Sequence, residues 1–129
     1  MGTFKTLEEI EAWQKARELT REVYKISCQE SFFKDFGLRE QIRRASVSIM
    51  SNIAEGFERS GTKEFVQFLA IAKGSVGEVK SQLYVALDQN YIDTEIFNRT
   101  YALSSETGRM INGLMNYLRE TPIKGGKFR

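Results

Sequence analysis

The stretch FVQFLAIAKGSVGEVKSQLYVA, residues 65–86, carries the strongest structural signal in the sequence. Its apolar side chains recur at alternating steps of four and three residues over three heptads, which is typical of a helix that packs against other helices. The members of this stripe are Phe65, Leu69, Ala72, Val76, Val79, Leu83 and Ala86. The stretch therefore predicts one long helix of a helical bundle.

A second stripe of mostly small side chains runs along the same predicted helix. It consists of Val66, Ala70, Lys73, Gly77, Ser81 and Tyr84. A glycine costs about 1 kcal/mol relative to alanine in an exposed helix interior, but small residues allow another helix to approach closely. That other helix belongs either to the same chain or to a neighbouring copy. Val66, Ala70, Gly77 and Tyr84 are therefore candidate helix or subunit interface residues.

Three more helices follow from the same kind of spacing. The predicted ranges are about 6–27, 38–59 and 94–120, beside about 62–88 for the helix described above. Thr6 and Glu9 fit a capping box at the first helix, and Asp93 or Thr94 caps the last. Four helices with short connectors predict an all-α fold, an up-down-up-down antiparallel four-helix bundle that occupies residues 1–121.

The connector CQESFFKDFG, residues 28–37, holds three phenylalanines. Loops in water do not usually carry so much aromatic area. Phe32, Phe33 and Phe36 are therefore expected to cover one end of the helical core. A surface for a partner is the alternative interpretation.

The stretch SNIAEGFERS, residues 51–60, places polar side chains beside the apolar stripe of the second helix. Glu55 and Arg59 have the i,i+4 spacing of an ion pair, and we expect Asn52 to bond across a helix contact. Gly56 near the helix end, followed by Ser60, Gly61 and Thr62, is expected to mark a tight turn. Asn52, Glu55 and Arg59 are therefore candidate interface residues rather than a catalytic site.

The composition excludes several classes of active and metal site. The 129 residues include one cysteine and no histidine. There is thus no Cys/His or Ser/His nucleophile pair and no zinc site of the usual Cys/His kind. We expect no enzymatic activity and no cofactor. No apolar run approaches the roughly 18 residues that span a bilayer, so a cytoplasmic protein without membrane contact is expected.

Net charge alone disfavours a strong non-specific DNA binder, which should carry a larger basic excess. The chain carries 19 basic and 17 acidic residues, and three of the basic ones lie in residues 122–129, a predicted flexible tail, which leaves 16 against 17 elsewhere. The candidate nucleic-acid contacts are Arg39, Arg43 and Arg44 in the second helix and Lys124, Lys127 and Arg129 in the tail. Aromatic rings for base stacking are not evident beside the three arginines. In a symmetric oligomer the arginine patch would repeat with every copy.

Residues 38–83 resemble a known family. The stretches that carry the resemblance are Gln41–Ala45, Ser48–Ile49, Asn52–Gly56, Lys63–Phe65, and Gly74–Ser75 followed by Glu78. They are similar to the four-helix-bundle proteins encoded in intervening sequences of bacterial 23S ribosomal RNA genes, which are sometimes labelled ribosomal protein S23-like. The family often has a proline where this chain has Met50, which should leave the second helix straighter.

The resemblance implies a homopentamer of bundles packed around a central channel. It also implies a relation to the accessory proteins of diversity-generating retroelements, which bind a reverse transcriptase and nucleic acid. Our leading hypothesis is a homo-oligomer that binds RNA or a ribonucleoprotein partner through Arg39, Arg43 and Arg44. A protein-interaction scaffold is the alternative, and a carboxylate-based metalloenzyme is a third class.

Overall fold

The computed structural model describes residues 4–120, which form five α-helices, four of them long, and no β-strand. The helices are α1 (Glu11–Ile26), α2 (Glu30–Lys34), α3 (Phe36–Glu58), α4 (Thr62–Asp88) and α5 (Thr94–Glu120), and a 3₁₀ turn at Leu7–Glu9 precedes α1. This architecture agrees with the all-α helical bundle that the sequence predicts. Residues 122–129, the predicted tail, lie outside the described residues.

One apolar core joins the four long helices. α1 packs against α3 and α5, and α4 packs against the same two helices. The whole predicted stripe of α4, from Phe65 to Ala86, is buried, as are Ile42, Ile49 and Ile53 of α3. Each large apolar side chain that is fully buried contributes about 1.5–3 kcal/mol to stability. The stripe in residues 65–86 is therefore the side of α4 that faces the core.

The tightest helix contact lies at Gly56, near the end of α3. A Cβ at this position would lie 2.8 Å from Cδ1 of Phe65 and 2.9 Å from Cβ of Phe68, both on α4. Gly56 is itself buried inside α3, so its assignment to the turn is wrong, whereas the turn predicted at Ser60 and Gly61 is present between α3 and α4. The absence of a side chain instead lets the two helices meet. The turn uses Gly61, whose φ of +116° favours glycine.

The predicted capping box at Thr6 does not form. Thr6 accepts no side-chain capping bond, and Glu9 Oε1 accepts instead from the backbone N–H of Lys5 at 2.9 Å. Ile10 adopts an extended backbone and is buried in the core. Burial of Ile10 thus overrides the local capping signal, and the first helix begins at Glu11 rather than near residue 6.

The connector after α1 is helical rather than a loop. α2 follows Gln29, and α3 starts at Phe36, two residues before the predicted start. Asp35 separates the two helices, and its Oδ1 accepts from the backbone N–H of Leu38 at 3.1 Å, which caps α3. Its Oδ2 accepts from the Tyr91 hydroxyl at 2.9 Å. This hydrogen bond, together with partial burial, raises the pKa of the Tyr91 phenol above its ordinary value.

The turn between α4 and α5 has a capping interaction on each side, one that ends α4 and one that starts α5. Asn90 adopts a left-handed backbone with φ of 63°, and the N–H of Tyr91 donates to the Ala86 carbonyl at 2.9 Å, as in a Schellman ending. Asp93 Oδ1 accepts from the N–H of Ile96 at 2.8 Å. Of the two predicted caps for the last helix, Asp93 therefore provides the bond.

We predict that Gly56→Ala destabilises the fold by about 1–3 kcal/mol, because the new methyl group overpacks the contact with Phe65 and Phe68. Gly113→Ala is the matched control, since a Cβ at Gly113 would meet nothing within 4 Å. That control should be neutral or stabilising by up to about 1 kcal/mol. Urea unfolding followed by circular dichroism measures both. Equal effects of the two substitutions would contradict the close contact.

Candidate nucleic-acid interface

Two of the three candidate arginines of α3 lie between aromatic rings at one end of the bundle. Arg39 and Arg43 belong to the first turns of α3. The rings come from the end of α1, from α2 and from the first residue of α3. In spatial order the five side chains are Tyr24, Arg43, Phe33, Arg39 and Phe36, and we call this set the arginine–aromatic ladder.

Distances from each guanidinium carbon to the ring centroids define the ladder. Arg43 lies 4.6 Å from Tyr24 and 6.0 Å from Phe33. Arg39 lies 4.2 Å from Phe33 and 4.8 Å from Phe36. All four distances are within the range at which a ring attracts a cation, and each such contact contributes about 0.5–1 kcal/mol at an exposed site. The rings therefore hold the two guanidinium groups in place.

Polar contacts fix the same two arginines further. Arg39 Nη1 donates to the Phe33 carbonyl at 3.1 Å, and its Nε lies 3.3 Å from Glu40 Oε2. Arg43 Nε donates to Ser27 Oγ at 2.8 Å. These bonds join α3 to the carbonyl end of α2 and to the end of α1. The arginines thus have a structural role that the sequence analysis did not assign to them.

The expectation that no aromatic rings accompany the arginines is wrong. It failed because Phe33 and Phe36 were assigned to the core, whereas only Phe32 of the three connector phenylalanines is buried. Phe33 and Phe36 are 45% and 66% exposed. The signal was present in the spacing, since Phe33, Phe36, Arg39 and Arg43 share one face if the connector is read as helical.

Arg44 differs from its two neighbours. It is exposed on α3, and its side chain makes no hydrogen bond, ion pair or ring contact with any of residues 4–120. Its charge is therefore available to a phosphate. The other candidate cations, Lys124, Lys127 and Arg129, lie outside the described residues.

The polar flank of α3 meets α4 through a short chain of side-chain bonds. Asn52 donates to the carbonyl and to Oγ of Ser48, on its own helix, at 2.9 and 3.0 Å. Ser48 Oγ then bonds Ser75 Oγ of α4 at 3.0 Å. Asn52 reaches the helix contact only through Ser48, so the expected direct bond across the contact is wrong. The predicted ion pair of Glu55 with Arg59 is present at 2.9 Å.

The second stripe of α4 runs along the α5 side of the helix, where Lys73 Nζ donates to Asn112 Oδ1 of α5 at 3.0 Å. Within the described part of the chain, a Cβ at Gly74 or Gly77 would meet no side chain and no other helix within 4 Å. Ala70 is also exposed, whereas Val66 is half-buried beside the core. Tyr84 is exposed but packs on α5, with its ring 4.8 Å from that of Phe97. Glycine on this stripe therefore makes room for no helix among residues 4–120.

Other polar groups of the described residues form no metal cluster. Among residues 4–120, no group of three or more Cys, Asp or Glu side chains is arranged to hold a metal ion. No helix in the same range is long and apolar enough to cross a membrane. Charged groups between helices are paired instead: Arg99 of α5 donates to Glu22 of α1 at 2.9 Å, a bond that raises the pKa of the guanidinium.

Comparison with known proteins identifies the family. The model of the 23S rRNA-intervening sequence protein family matches residues 8–113. The chain belongs to the 23S rRNA-intervening sequence protein family. The resemblance carried by residues 38–83 is thereby confirmed, and the family match includes all five members of the arginine–aromatic ladder. No curated protein matches the chain.

A solved structure supports the fold. The chain is similar to a protein of unknown function from the S23 ribosomal protein family of Bacteroides thetaiotaomicron, with a TM-score of 0.74 and 24% sequence identity. The similarity covers 81% of this chain and 97% of the other. At this identity the likeness concerns the fold alone.

We predict that Arg39→Lys destabilises the protein by about 1–2 kcal/mol although it keeps the charge. Lysine lacks the planar guanidinium that stacks on Phe33 and Phe36 and bonds the Phe33 carbonyl at the same time. Arg44→Lys is the matched control and should change stability by less than about 0.5 kcal/mol. Urea unfolding compares the two. An unchanged midpoint for Arg39→Lys would show that the ladder contributes nothing to stability.

Proposed function

We propose that this member of the 23S rRNA-intervening sequence protein family is a non-enzymatic, homo-oligomeric, cytoplasmic bundle that binds RNA or a ribonucleoprotein partner. The observation that carries the proposal is the arginine–aromatic ladder with Arg44 nearby. Exposed rings and cations on one surface are the two elements that single-stranded nucleic-acid sites combine. Repetition of this surface in every copy of an oligomer would multiply a modest patch into an extended one.

The proposed assembly is a homopentamer of up-down-up-down antiparallel bundles. Two contacts between α3 and α4 support the antiparallel course: Gly56 meets Phe65 near the connecting turn, and Ser48 meets Ser75 farther from it. The open stripe of α4 supports a subunit contact, since glycine in a helix interior lowers stability unless a close approach requires it. Five copies is the number that the family resemblance implies.

A protein-interaction scaffold is the second candidate. Ile71 and Val85 are exposed on α4, at 53% and 44%, on either side of the open glycines. An apolar helix face of this kind serves a protein contact better than a phosphate contact. If the function is a scaffold, partner binding should respond little to salt.

The RNA-binding proposal predicts a steep loss of affinity between about 50 and about 200 mM salt, because released counterions drive phosphate binding. Arg44→Glu should weaken binding and lower the slope of log K against log salt by about 1 for each lost phosphate contact. Arg109→Glu changes an exposed arginine of α5 and is the control with the same change of charge. Fluorescence anisotropy with structured RNA measures both. The proposal fails if RNA does not bind at low salt, or if both variants behave alike.

The oligomer proposal predicts that Gly77→Leu lowers the mass of the assembly in solution. The leucine side chain fills the space into which a neighbouring copy would pack, while the open surroundings of Gly77 leave the fold of the single chain intact. Gly113→Leu is the control, since its surroundings are equally open. Light scattering on purified protein gives the mass. A monomeric parent chain, or equal masses for the parent and both variants, would contradict the proposed interface.

A further inference from the structure

We infer that the arginine–aromatic ladder binds unpaired nucleobases of single-stranded RNA, which extend the stack beyond its outer rings, Tyr24 and Phe36. The inference rests on the proposed RNA-binding function and makes it more specific. The ladder then recognises the base of the RNA rather than its phosphate.

The outer rings of the ladder have room for another planar group. Phe36 lies against Arg39 on one side, yet 66% of the residue is exposed. Tyr24 lies against Arg43 on one side and is 41% exposed. Both residues therefore keep a substantial part of their surface in water. A nucleobase that stacks on either ring would remove apolar ring area from water and continue an existing alternation of planar groups.

The arginines of the ladder are less suited to phosphate than the rings are to bases. The side chain of Arg39 is only 13% exposed and lies beside the carboxylate of Glu40. One of its outer nitrogens already donates to the Phe33 carbonyl. Arg43 donates to Ser27 Oγ, and its Nη2 lies 3.5 Å from Cys28 Sγ. Much of the donor capacity of both groups is used inside the protein, whereas Tyr24 and Phe36 each stack on only one arginine of residues 4–120.

The ladder is also held in position before any ligand arrives. Phe33 lies between both guanidinium groups, and the bond from Arg39 to the Phe33 carbonyl ties α2 to α3. A site that is already ordered loses little conformational entropy on binding. The rings can thus accept a base without a rearrangement of the bundle.

The surroundings favour a base over an apolar peptide partner. Beside Tyr24 lies a shallow groove of about 550 Å³, and its remaining walls are Glu18, Arg21, Glu22, Lys25 and Cys28. A protein contact of high affinity needs a well-packed, desolvated pocket for an anchor side chain. A groove with four charged walls does not provide one. Paired RNA is disfavoured as well, because its bases are already stacked and their faces are covered.

The test compares three probes of about 12 nucleotides, a length within the footprint of single-strand sites: oligoadenylate, an abasic strand with the same number of phosphates, and an RNA duplex. The variant is the double substitution Tyr24→Leu with Phe36→Leu, which keeps apolar area and removes the ring faces. Val47→Ala, which changes an exposed apolar side chain on α3, is the control. Thermal unfolding establishes that both variants remain folded.

We expect the parent chain to bind oligoadenylate more tightly than the abasic strand or the duplex. The double variant should lose about tenfold or more in affinity for oligoadenylate. This is the size of the loss when an aromatic side chain that stacks on a base is removed. Its affinity for the abasic strand and the slope with salt should stay unchanged. A direct readout is Phe36→Trp in a Trp13→Phe background, where stacking of adenine should quench the tryptophan fluorescence.

The outcomes separate this inference from the function on which it rests. Equal binding of all three probes, unaffected by the double variant, would overturn base stacking and leave phosphate-driven RNA binding in place. No binding of any probe at low salt would overturn both. Loss of a protein partner in the double variant, with unchanged RNA affinity, would assign the ladder to protein recognition and overturn the inference.

Discussion

The contact between α3 and α4 at Gly56 is the constraint on which the rest of the structure depends. Because no side chain separates the helices there, Phe65 and Phe68 pack directly on the α3 backbone. This close approach fixes which side of α4 faces the core. The heptad stripe is buried, whereas Gly74 and Gly77 face open space, since a Cβ at either would meet no side chain of residues 4–120 within 4 Å. The close contact at Gly56 thus lies on the same side of α4 as the buried stripe, opposite the open glycines.

The other end of α3 is organised by cation–ring contacts in addition to the apolar packing of Phe32 and Leu38. The side chains of Arg39 and Arg43 extend from α3 to the point where α1 ends and α2 begins. They stack on rings from each of these segments. Their planar groups hold a helix of only five residues, which would not be stable alone. The same contacts leave the aromatic residues partly exposed and concentrate aromatic and basic groups on one surface. Stabilisation of the connector and presentation of a binding surface are therefore two consequences of one arrangement.

The sequence predicted most of the helical core because the apolar spacing in α4 and α3 is regular and the core follows it. It missed features that depend on tertiary contacts. The Thr6 capping signal is valid locally, but burial of Ile10 displaces the start of α1. Gly56 was assigned to a turn because spacing does not reveal how closely two helices approach. The rings of Phe33 and Phe36 were assigned to the core because a connector read as a loop has no face on which they could align with Arg39.

The central claim is that RNA binds at the end of the bundle formed by the last turn of α1, by α2 and by the start of α3. Hydrogen–deuterium exchange with and without oligoadenylate tests it most directly. α2 is a single short helix whose amides should exchange fast in the free protein, so binding at the ladder should slow them clearly. The account predicts slower exchange in residues 24–44 and no change in residues 108–120. Unchanged exchange in residues 24–44 under conditions where RNA is bound would contradict it.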